Sequence, residues 1–387
     1  MSDRIIVGVI GAGTMGSGIA QVAAQAGHGT WLYDTRPGAV EQALAGLRST
    51  LDKLVRKGKL SAAEADALHQ RIKPASDIRQ LADCGLVIEA IVEDLAVKKR
   101  LFADLETVLA ADAVLATNTS SLAVTAIAAA CQRPERVIGL HFFNPAPLLP
   151  LVEVVPGVAT SPALPARMGA LMAAWGKAPV VCKDTPGFIV NRVARPFYGE
   201  SIRIFEEGIA DMPAIDAALR GAGFRMGPFE LMDLIGNDIN FTVTRTVWEA
   251  FFFDPRYKPS FTQQRQVESE RLGRKTGRGY YDYRAEQAVP PTEVAPEQAK
   301  AIVERVLAML INEAADALHL RVASAADIDL AMTKGVNYPK GLLAWGDEQG
   351  AAHWLAVLEA LQAEYGEDRY RPSPLLRKRA LSGEKLC

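Results

Sequence analysis

Cysteine and histidine are scarce: four and five residues in a chain of 387. Cys84, Cys131, Cys182 and Cys387 have neither the spacing of a metal site nor that of a disulfide framework, so a metal-free protein is expected. No charge dominates either. The 43 basic and 45 acidic residues leave a formal charge of −2, and no global field favours nucleic acid or an anionic membrane. No uninterrupted apolar run reaches the roughly 18 residues that span a bilayer. The opening Met-Ser-Asp-Arg precedes only a short apolar run at residues 5–10, broken by glycine, which lacks the form of a signal peptide. These absences lead to the expectation of a cytoplasmic α/β protein. What is present is a 49% hydrophobic, 23% charged composition, enough for a substantial core, and a length that suggests two or three domains.

The first segment reads as one strand–turn–helix unit. A β-rich run at residues 4–10 is followed by Gly11-Ala12-Gly13-Thr14-Met15-Gly16, then by Ile19, Val22, Ala23 and Ala26 at helical spacing. Gly27 closes that helix, and the run Thr30-Trp31-Leu32-Tyr33 ends at Asp34. A long polar helix is predicted over residues 39–58, with Thr50, Lys53 or Leu54, and Lys57 on one face. Ser61 and Glu64 form a capping box for the next helix. Strands are predicted at 85–88, 113–117, 137–141, 152–155 and 178–182, with helices at 96–109, 123–130 and 162–175. Such alternation implies a mostly parallel sheet covered on both faces.

Beyond Thr185-Pro186-Gly187 the pattern is helical only, and it repeats. Ile189-Val190, Arg192-Val193, Glu200 and Ile215-Asp216 recur as Ile302-Val303, Arg305-Val306, Glu313 and Ile328-Asp329. After one inserted residue, Gly221 and Gly227 match Gly335 and Gly341. The expected divisions are 1–185, a first helical domain at 186–284, a proline-rich linker at 285–297, and a second helical domain at 298–387.

The glycine motif between a strand and a helix has a physical reading. Gly11 permits the tight turn, Gly13 lets a pyrophosphate approach the backbone, and Gly16 allows close packing of helix on strand. Phosphates would meet the positive end of the helix. Asp34 would accept hydrogen bonds from ribose hydroxyls and repel a 2′-phosphate, favouring NAD over NADP; Arg36 argues weakly the other way.

A dehydrogenase needs a base beside the alcohol it oxidises. Among the histidines, His141 alone ends an apolar strand, at the edge where open α/β sheets bind ligands. Glu153 stands inside the apolar run Leu151-Val152-Glu153-Val154-Val155, where a charge is costly without a partner. A His141–Glu153 pair meets that demand and orients the ring. Asn118-Thr119-Ser120-Ser121 reads by itself as a polar turn with an N-cap, and Asn191 by itself as a solvent-facing helical residue whose counterpart in the repeat is Glu304.

With these motifs in place, the sequence resembles the L-3-hydroxyacyl-CoA dehydrogenase family along essentially its whole length. The carriers are the glycine motif, Asn118-Thr119-Ser120-Ser121-Leu122, Gly139-Leu140-His141-Phe142-Phe143-Asn144-Pro145, residues 183–192, Met226-Gly227-Pro228-Phe229-Glu230-Leu231 and Lys275-Thr276-Gly277-Arg278-Gly279-Tyr280. The resemblance implies an α/β Rossmann-like N-terminal domain with a helical clamp, followed by two tandem all-α (6-phosphogluconate-dehydrogenase-like C-terminal) modules. It implies His141 as base, Glu153 as its partner, and Ser120 and Asn191 as holders of substrate oxygens. It places Gly11, Gly13, Thr14, Met15, Gly16, Asp34, Glu93, Lys98, Asn118 and Lys275 against NAD, and Thr50 and Lys57 against coenzyme A; threonine at position 50 stands where many members carry serine.

Within the family, residues 224–236 and Glu367-Asp368-Arg369-Tyr370-Arg371-Pro372 resemble the bacterial branch that acts on 3-hydroxyadipyl-CoA in phenylacetate degradation. The alternatives are a 3-hydroxybutyryl-CoA dehydrogenase, a dehydrogenase of a small free hydroxy acid, and a lambda-crystallin-like structural protein. The partners implied are an acyl-CoA substrate and a second copy in a homodimer. Alternatively, the second module takes the dimer partner's place, packing about a pseudo-two-fold axis.

Overall fold

The computed structural model describes residues 5–284, 289 and 292–387. Two compact units emerge, Met1–Thr185 and Pro186–Cys387. The first contains β1 (Val7–Ile10), α1 (Thr14–Gln25), β2 (Thr30–Tyr33), α2 (Ala39–Arg56), α3 (Ala62–Arg71), β3 (Ile72–Ala75) and β4 (Leu86–Glu89). It continues with α4 (Leu95–Val108), β5 (Val114–Thr117), α5 (Val124–Ala128), β6 (Val137–Phe142), β7 (Leu151–Pro156), α6 (Leu164–Ala174) and β8 (Ala178–Val181). Among the described residues the strands form one sheet of order β3-β2-β1-β4-β5-β6-β7-β8. The four central strands β1, β4, β5 and β6 are buried at every residue, as a parallel sheet covered on both faces requires. Alternation distributes their side chains between two cores: Val9 and Ile88 on one face, Ile10 and Val87 on the other.

Two features depart from the sequence reading. β3, Ile-Lys-Pro-Ala, was not predicted, because a lysine and a proline obscure the apolar pattern; it is an edge strand paired only with β2, where proline is tolerated. β7 runs antiparallel to β6, whereas the other neighbours are parallel. The reason is connection length: residues 143–150 are too few for a parallel crossover.

The second unit contains α7 (Val190–Val193), α8 (Arg195–Glu206), α9 (Met212–Gly221), α10 (Pro228–Ile235), α11 (Asn237–Ala250) and α12 (Phe261–Glu268). After the inter-module segment come α13 (Pro296–His319), α14 (Ala325–Gly335), α15 (Leu342–Gln349), α16 (Ala351–Tyr365) and α17 (Pro374–Ser382). Residues 285–288, 290 and 291 of the expected linker lie outside the described residues. Its last two residues already belong to α13, which starts on Pro296, a residue suited to the first helical turn.

The repeat is visible in the contacts. Asp216 accepts from Phe229 and Glu230 N–H at the start of α10, and Asp329 from Leu343 and Ala344 N–H at the start of α15. A Cβ on Gly227 or Gly341 would come within 2.3 Å of those carboxylates, so both positions require glycine. The copies also contact each other reciprocally. Arg192 Nε donates to Glu313 at 2.6 Å, and Arg305 Nε to Glu200 at 2.7 Å. Tyr257 and Tyr370 hydroxyls donate to the same two carboxylates, each at 2.5 Å. An exchange in which a residue of the first copy meets one of the second, and their two counterparts meet in the same way, is the signature of two-fold packing. Burial alone would raise the pKa of Glu313, but Arg192 and Arg256 hold it below the ordinary glutamate range.

A chain ending at Tyr283 strands Arg192, Glu200 and Arg256, all buried charges, without their partners. Such groups are strongly destabilising when one member is removed. Light scattering after chromatography is expected to find that fragment insoluble or self-associated. A soluble, fully active monomer would contradict this.

Candidate active site

The carboxyl ends of β1, β4, β5 and β6 share one edge of the sheet, and the first unit's polar residues gather there. After β1, Gly11 adopts φ +100°, and a Cβ on it would meet the Ala90 carbonyl at 2.4 Å. A Cβ on Gly16 would sit 1.7 Å from the Gly11 carbonyl oxygen, so helix and turn approach as closely as glycine allows. Gly13 is different. A Cβ there would meet nothing within 4 Å, leaving open space at the N-terminus of α1, which Thr14 and Met15 begin. That cradle suits a pyrophosphate, so the residues present fit NAD.

Asp34, just past β2, accepts from the Ala12 N–H at 2.8 Å and is therefore fixed against the glycine turn. Arg36 donates to both its carboxylate oxygens, at 3.0 and 2.9 Å. That contact, with the two backbone donors, outweighs the opposing effect of burial and lowers the Asp34 pKa to about 2. Arg36, which had argued for a 2′-phosphate, is here engaged in keeping Asp34 charged.

A buried ionic chain follows. Glu89, the last residue of β4, is fully buried and accepts from Lys98 Nζ at 2.5 Å, Thr117 Oγ1 at 2.8 Å and Ile91 N–H at 2.8 Å. Lys98, on α4 and also buried, reaches Glu93 at 3.2 Å. Glu93 in turn accepts from Thr119 Oγ1 at 2.5 Å, and from Ser120 N–H and Ser121 N–H and Oγ at 3.0–3.2 Å. Burial pushes Glu93 up, but Lys98 and these hydroxyl and amide donors leave its pKa below the usual value. The loop after β5 is thus shaped by a carboxylate. It does not cap α5: the N–H groups of Val124 and Thr125 donate instead to Asp184, at 3.0 and 2.7 Å. Asn118 Oδ1 accepts from Phe142 N–H at 2.8 Å, tying that loop to the end of β6.

His141 and Glu153 face one another across the antiparallel β6–β7 pair. His141 Nδ1 and Glu153 Oε2 are 2.6 Å apart, with the glutamate fully buried and the histidine 6% exposed. Phe143 packs against the imidazole, ring centroids 4.4 Å apart.

The residues expected to form a helical clamp lie on the pair α2–α3. Thr50 is exposed and donates back to the Gly46 carbonyl at 3.0 Å. Lys57 is not inside the helix as expected; α2 ends at Arg56 and Lys57 is its C-cap, followed by Gly58 at φ +66°. Lys53, Arg56 and Lys57 are all exposed. In the second unit, Asn191 sits in α7 and is half-buried, while Glu304, its counterpart, pairs with His353 at 3.0 Å. Lys275 Nζ contacts both carboxylate oxygens of Asp238, at 2.6 and 2.7 Å.

Residues 6–185 match the model of the 3-hydroxyacyl-CoA dehydrogenase NAD-binding domain, and residues 187–283 and 302–385 each match that of the 3-hydroxyacyl-CoA dehydrogenase C-terminal domain. The chain belongs to the 3-hydroxyacyl-CoA dehydrogenase family. It is similar to the 3-hydroxyadipyl-CoA dehydrogenase of Escherichia coli K12, at 44% identity over 97% of both chains. It is also similar to the 3-hydroxybutyryl-CoA dehydrogenase of Bradyrhizobium diazoefficiens, at 42% identity over 73% of this chain and 97% of that one. A crystal structure of 3-hydroxybutyryl-CoA dehydrogenase from E. coli K12 superposes with a TM-score of 0.94, at 43% identity, covering 98% of this chain and 99% of that one. This dehydrogenase is NAD-dependent, and its two C-terminal matches are the two copies of the repeat.

Glu89 and Thr117 escaped the sequence reading, and Thr119 and Asp184 entered it only inside motifs, with no role of their own. Glu89 carried the signal that found Glu153, a charge on an apolar strand, and its partner Lys98 lies on the next helix. Glu89→Gln leaves the buried Lys98 ammonium with the longer Glu93 contact alone. The expected cost is about 3 kcal/mol in urea unfolding, partly recovered in Glu89→Gln/Lys98→Met. An unchanged midpoint would mean that Glu93 suffices.

Proposed function

We propose that this dehydrogenase oxidises (S)-3-hydroxyadipyl-CoA to the 3-ketoacyl-CoA, as part of phenylacetate degradation in the cytoplasm. The observation that carries the chemistry is the 2.6 Å His141–Glu153 pair at the strand ends. The observation that favours the diacid substrate is full-length similarity, tandem modules included, to a 3-hydroxyadipyl-CoA dehydrogenase. The 3-hydroxybutyryl reading has support of its own, because the full-length structural match is to a 3-hydroxybutyryl-CoA dehydrogenase.

The glycine turn holds the NAD pyrophosphate on the N-terminus of α1, and Asp34 holds the ribose hydroxyls. Glu93, Lys98, Asn118 and Lys275 make further contacts with the dinucleotide. Bound NAD supplies the hydride acceptor. With its Nδ1 proton donated to Glu153, the imidazole accepts the substrate hydroxyl proton at Nε2, and the carboxylate stabilises the imidazolium that results. In the reverse direction the same imidazolium returns the proton to the ketone. Ser120 hydrogen-bonds the reacting oxygen, Asn191 orients the thioester arm, and Thr50 and Lys57 on the clamp bind coenzyme A. Reciprocal packing of the two modules supports a chain whose second module replaces a dimer partner.

NADH formation measured with 3-hydroxybutyryl-, 3-hydroxyhexanoyl- and 3-hydroxyadipyl-CoA tests the reading, and all three are expected to be oxidised. Indifference to free CoA as a competitor would favour a small free hydroxy acid instead. His141→Ala is expected to lose on the order of 100- to 10,000-fold in turnover; retention of more than about a tenth would remove it from the role of base. Glu153→Gln is expected to lose on the order of 100-fold in kcat with NAD affinity nearly unchanged, and equal weakening of both would make Glu153 merely structural.

A further inference from the structure

The segment 118–125, which carries Ser120, is held at both ends. Asn118 ties its start to Phe142, the residue after His141, and Glu93 holds Thr119, Ser120 and Ser121. Thr119 Oγ1 also accepts from the Leu122 N–H at 2.9 Å, closing residues 119–122 into a compact turn. Only Ala123, extended at φ −64° and ψ 122°, separates that turn from Val124. There the far end is fixed. Asp184 accepts from the Val124 N–H at 3.0 Å with one oxygen and from the Thr125 N–H at 2.7 Å with the other. Ala123 stands at the N-cap of α5 and supplies no side-chain oxygen. A local serine or aspartate there would satisfy the helix by itself. An acid brought from 60 residues further along the chain does more: it fixes where the helix starts.

Asp184 is itself anchored. Two residues before it, the Cys182 N–H donates to the Val154 carbonyl at 3.1 Å, continuing the β7–β8 ladder past Val181. The Thr185 N–H donates to the Lys183 carbonyl at 2.9 Å, a tight turn with Asp184 at its centre. Val154 is the neighbour of Glu153 on β7. The start of α5 also meets the chain that leaves β7: Thr125 Oγ1 accepts from the Val158 N–H at 3.0 Å, and a Cβ on Gly157 would lie 3.2 Å from the Thr125 backbone. The Asp184 carboxylate thus joins the strand that bears Glu153 to the loop that bears Ser120.

We propose that Asp184 is a positioning residue whose carboxylate sets the stance of Ser120 relative to the His141–Glu153 pair. The inference rests on the reading above that Ser120 hydrogen-bonds the reacting oxygen. Asp184 acts through Ala123, a lever of one residue, rather than on the substrate. Asparagine in its place keeps one acceptor oxygen and turns an NH2 donor toward the other N–H, so one charge-assisted bond is lost and two donors face each other. The turn at 119–122 then shifts with Val124, and a misplacement of about 1 Å can cost on the order of 100-fold in rate.

A double-mutant cycle in kcat/KM for 3-hydroxybutyryl-CoA oxidation tests this, with NAD dissociation constants measured alongside. Ser120→Ala is expected to lose on the order of 100-fold. Asp184→Asn is expected to lose about tenfold beside Ser120, chiefly in kcat, but less than about twofold in the Ser120→Ala background, with NAD affinity within about twofold of wild type in both. Equal losses in the two backgrounds would overturn the proposal, because a merely structural acid has no reason to act through Ser120. Undiminished activity in Asp184→Asn would overturn it too. If Asp184→Asn does not fold, Val124→Pro takes its place in the cycle: it deletes one of the two donors at a first helical position preceded by an extended residue, where proline fits. It is expected to lose about threefold beside Ser120 and nothing further in Ser120→Ala, and equal losses again contradict the proposal. Undiminished activity in Ser120→Ala alone would refute the reading of Ser120, and the inference with it.

Discussion

A single cross-strand contact stands at the centre of the chemistry proposed for this dehydrogenase. His141 and Glu153 are opposed residues of an antiparallel strand pair, with the ring nitrogen and carboxylate oxygen 2.6 Å apart. A fully buried carboxylate is tolerated only with a partner, and an imidazole held at Nδ1 has its orientation and tautomer set. The pairing is a matter of register: a one-residue slip would turn Glu153 to the other face of the sheet. The antiparallel pairing of β7 with β6 is what sets His141 opposite Glu153.

Around that pair, the strand ends are held by buried charge rather than by helix caps. Glu89, Lys98 and Glu93 form a chain that begins on β4 and ends on the backbone of Ser120 and Ser121. Asn118 links the same loop to Phe142, next to His141. The loop after β5 and the strand bearing His141 are thus coupled through a few hydrogen bonds. Such a site keeps its geometry only while every buried polar member is satisfied.

What was legible in the sequence, and what was not, follows from how local each signal is. The glycine turn, Asp34, the Ser61 capping box and the His141–Glu153 pair are announced by residue type within a short span. The reciprocal ion pairs of the helical unit are foreshadowed by the repeat, because a residue and its copy can exchange partners only if both recur. Glu93's hold on residues 119–121, and Asp184's capping of α5, join residues distant in sequence with no periodicity between them. β3 was hidden by its own edge position, where lysine and proline are acceptable. Arg36, weighed lightly against Asp34, pairs with that very carboxylate two residues away.

The most direct measurement is the pH dependence of kcat/KM for 3-hydroxyacyl-CoA oxidation in the wild-type enzyme and in His141→Gln. If the imidazole accepts the hydroxyl proton, wild-type activity falls on the acid side with the slope of one proton, and the residual activity of His141→Gln lacks that limb. The same one-proton acid limb in His141→Gln would show that another group is the base.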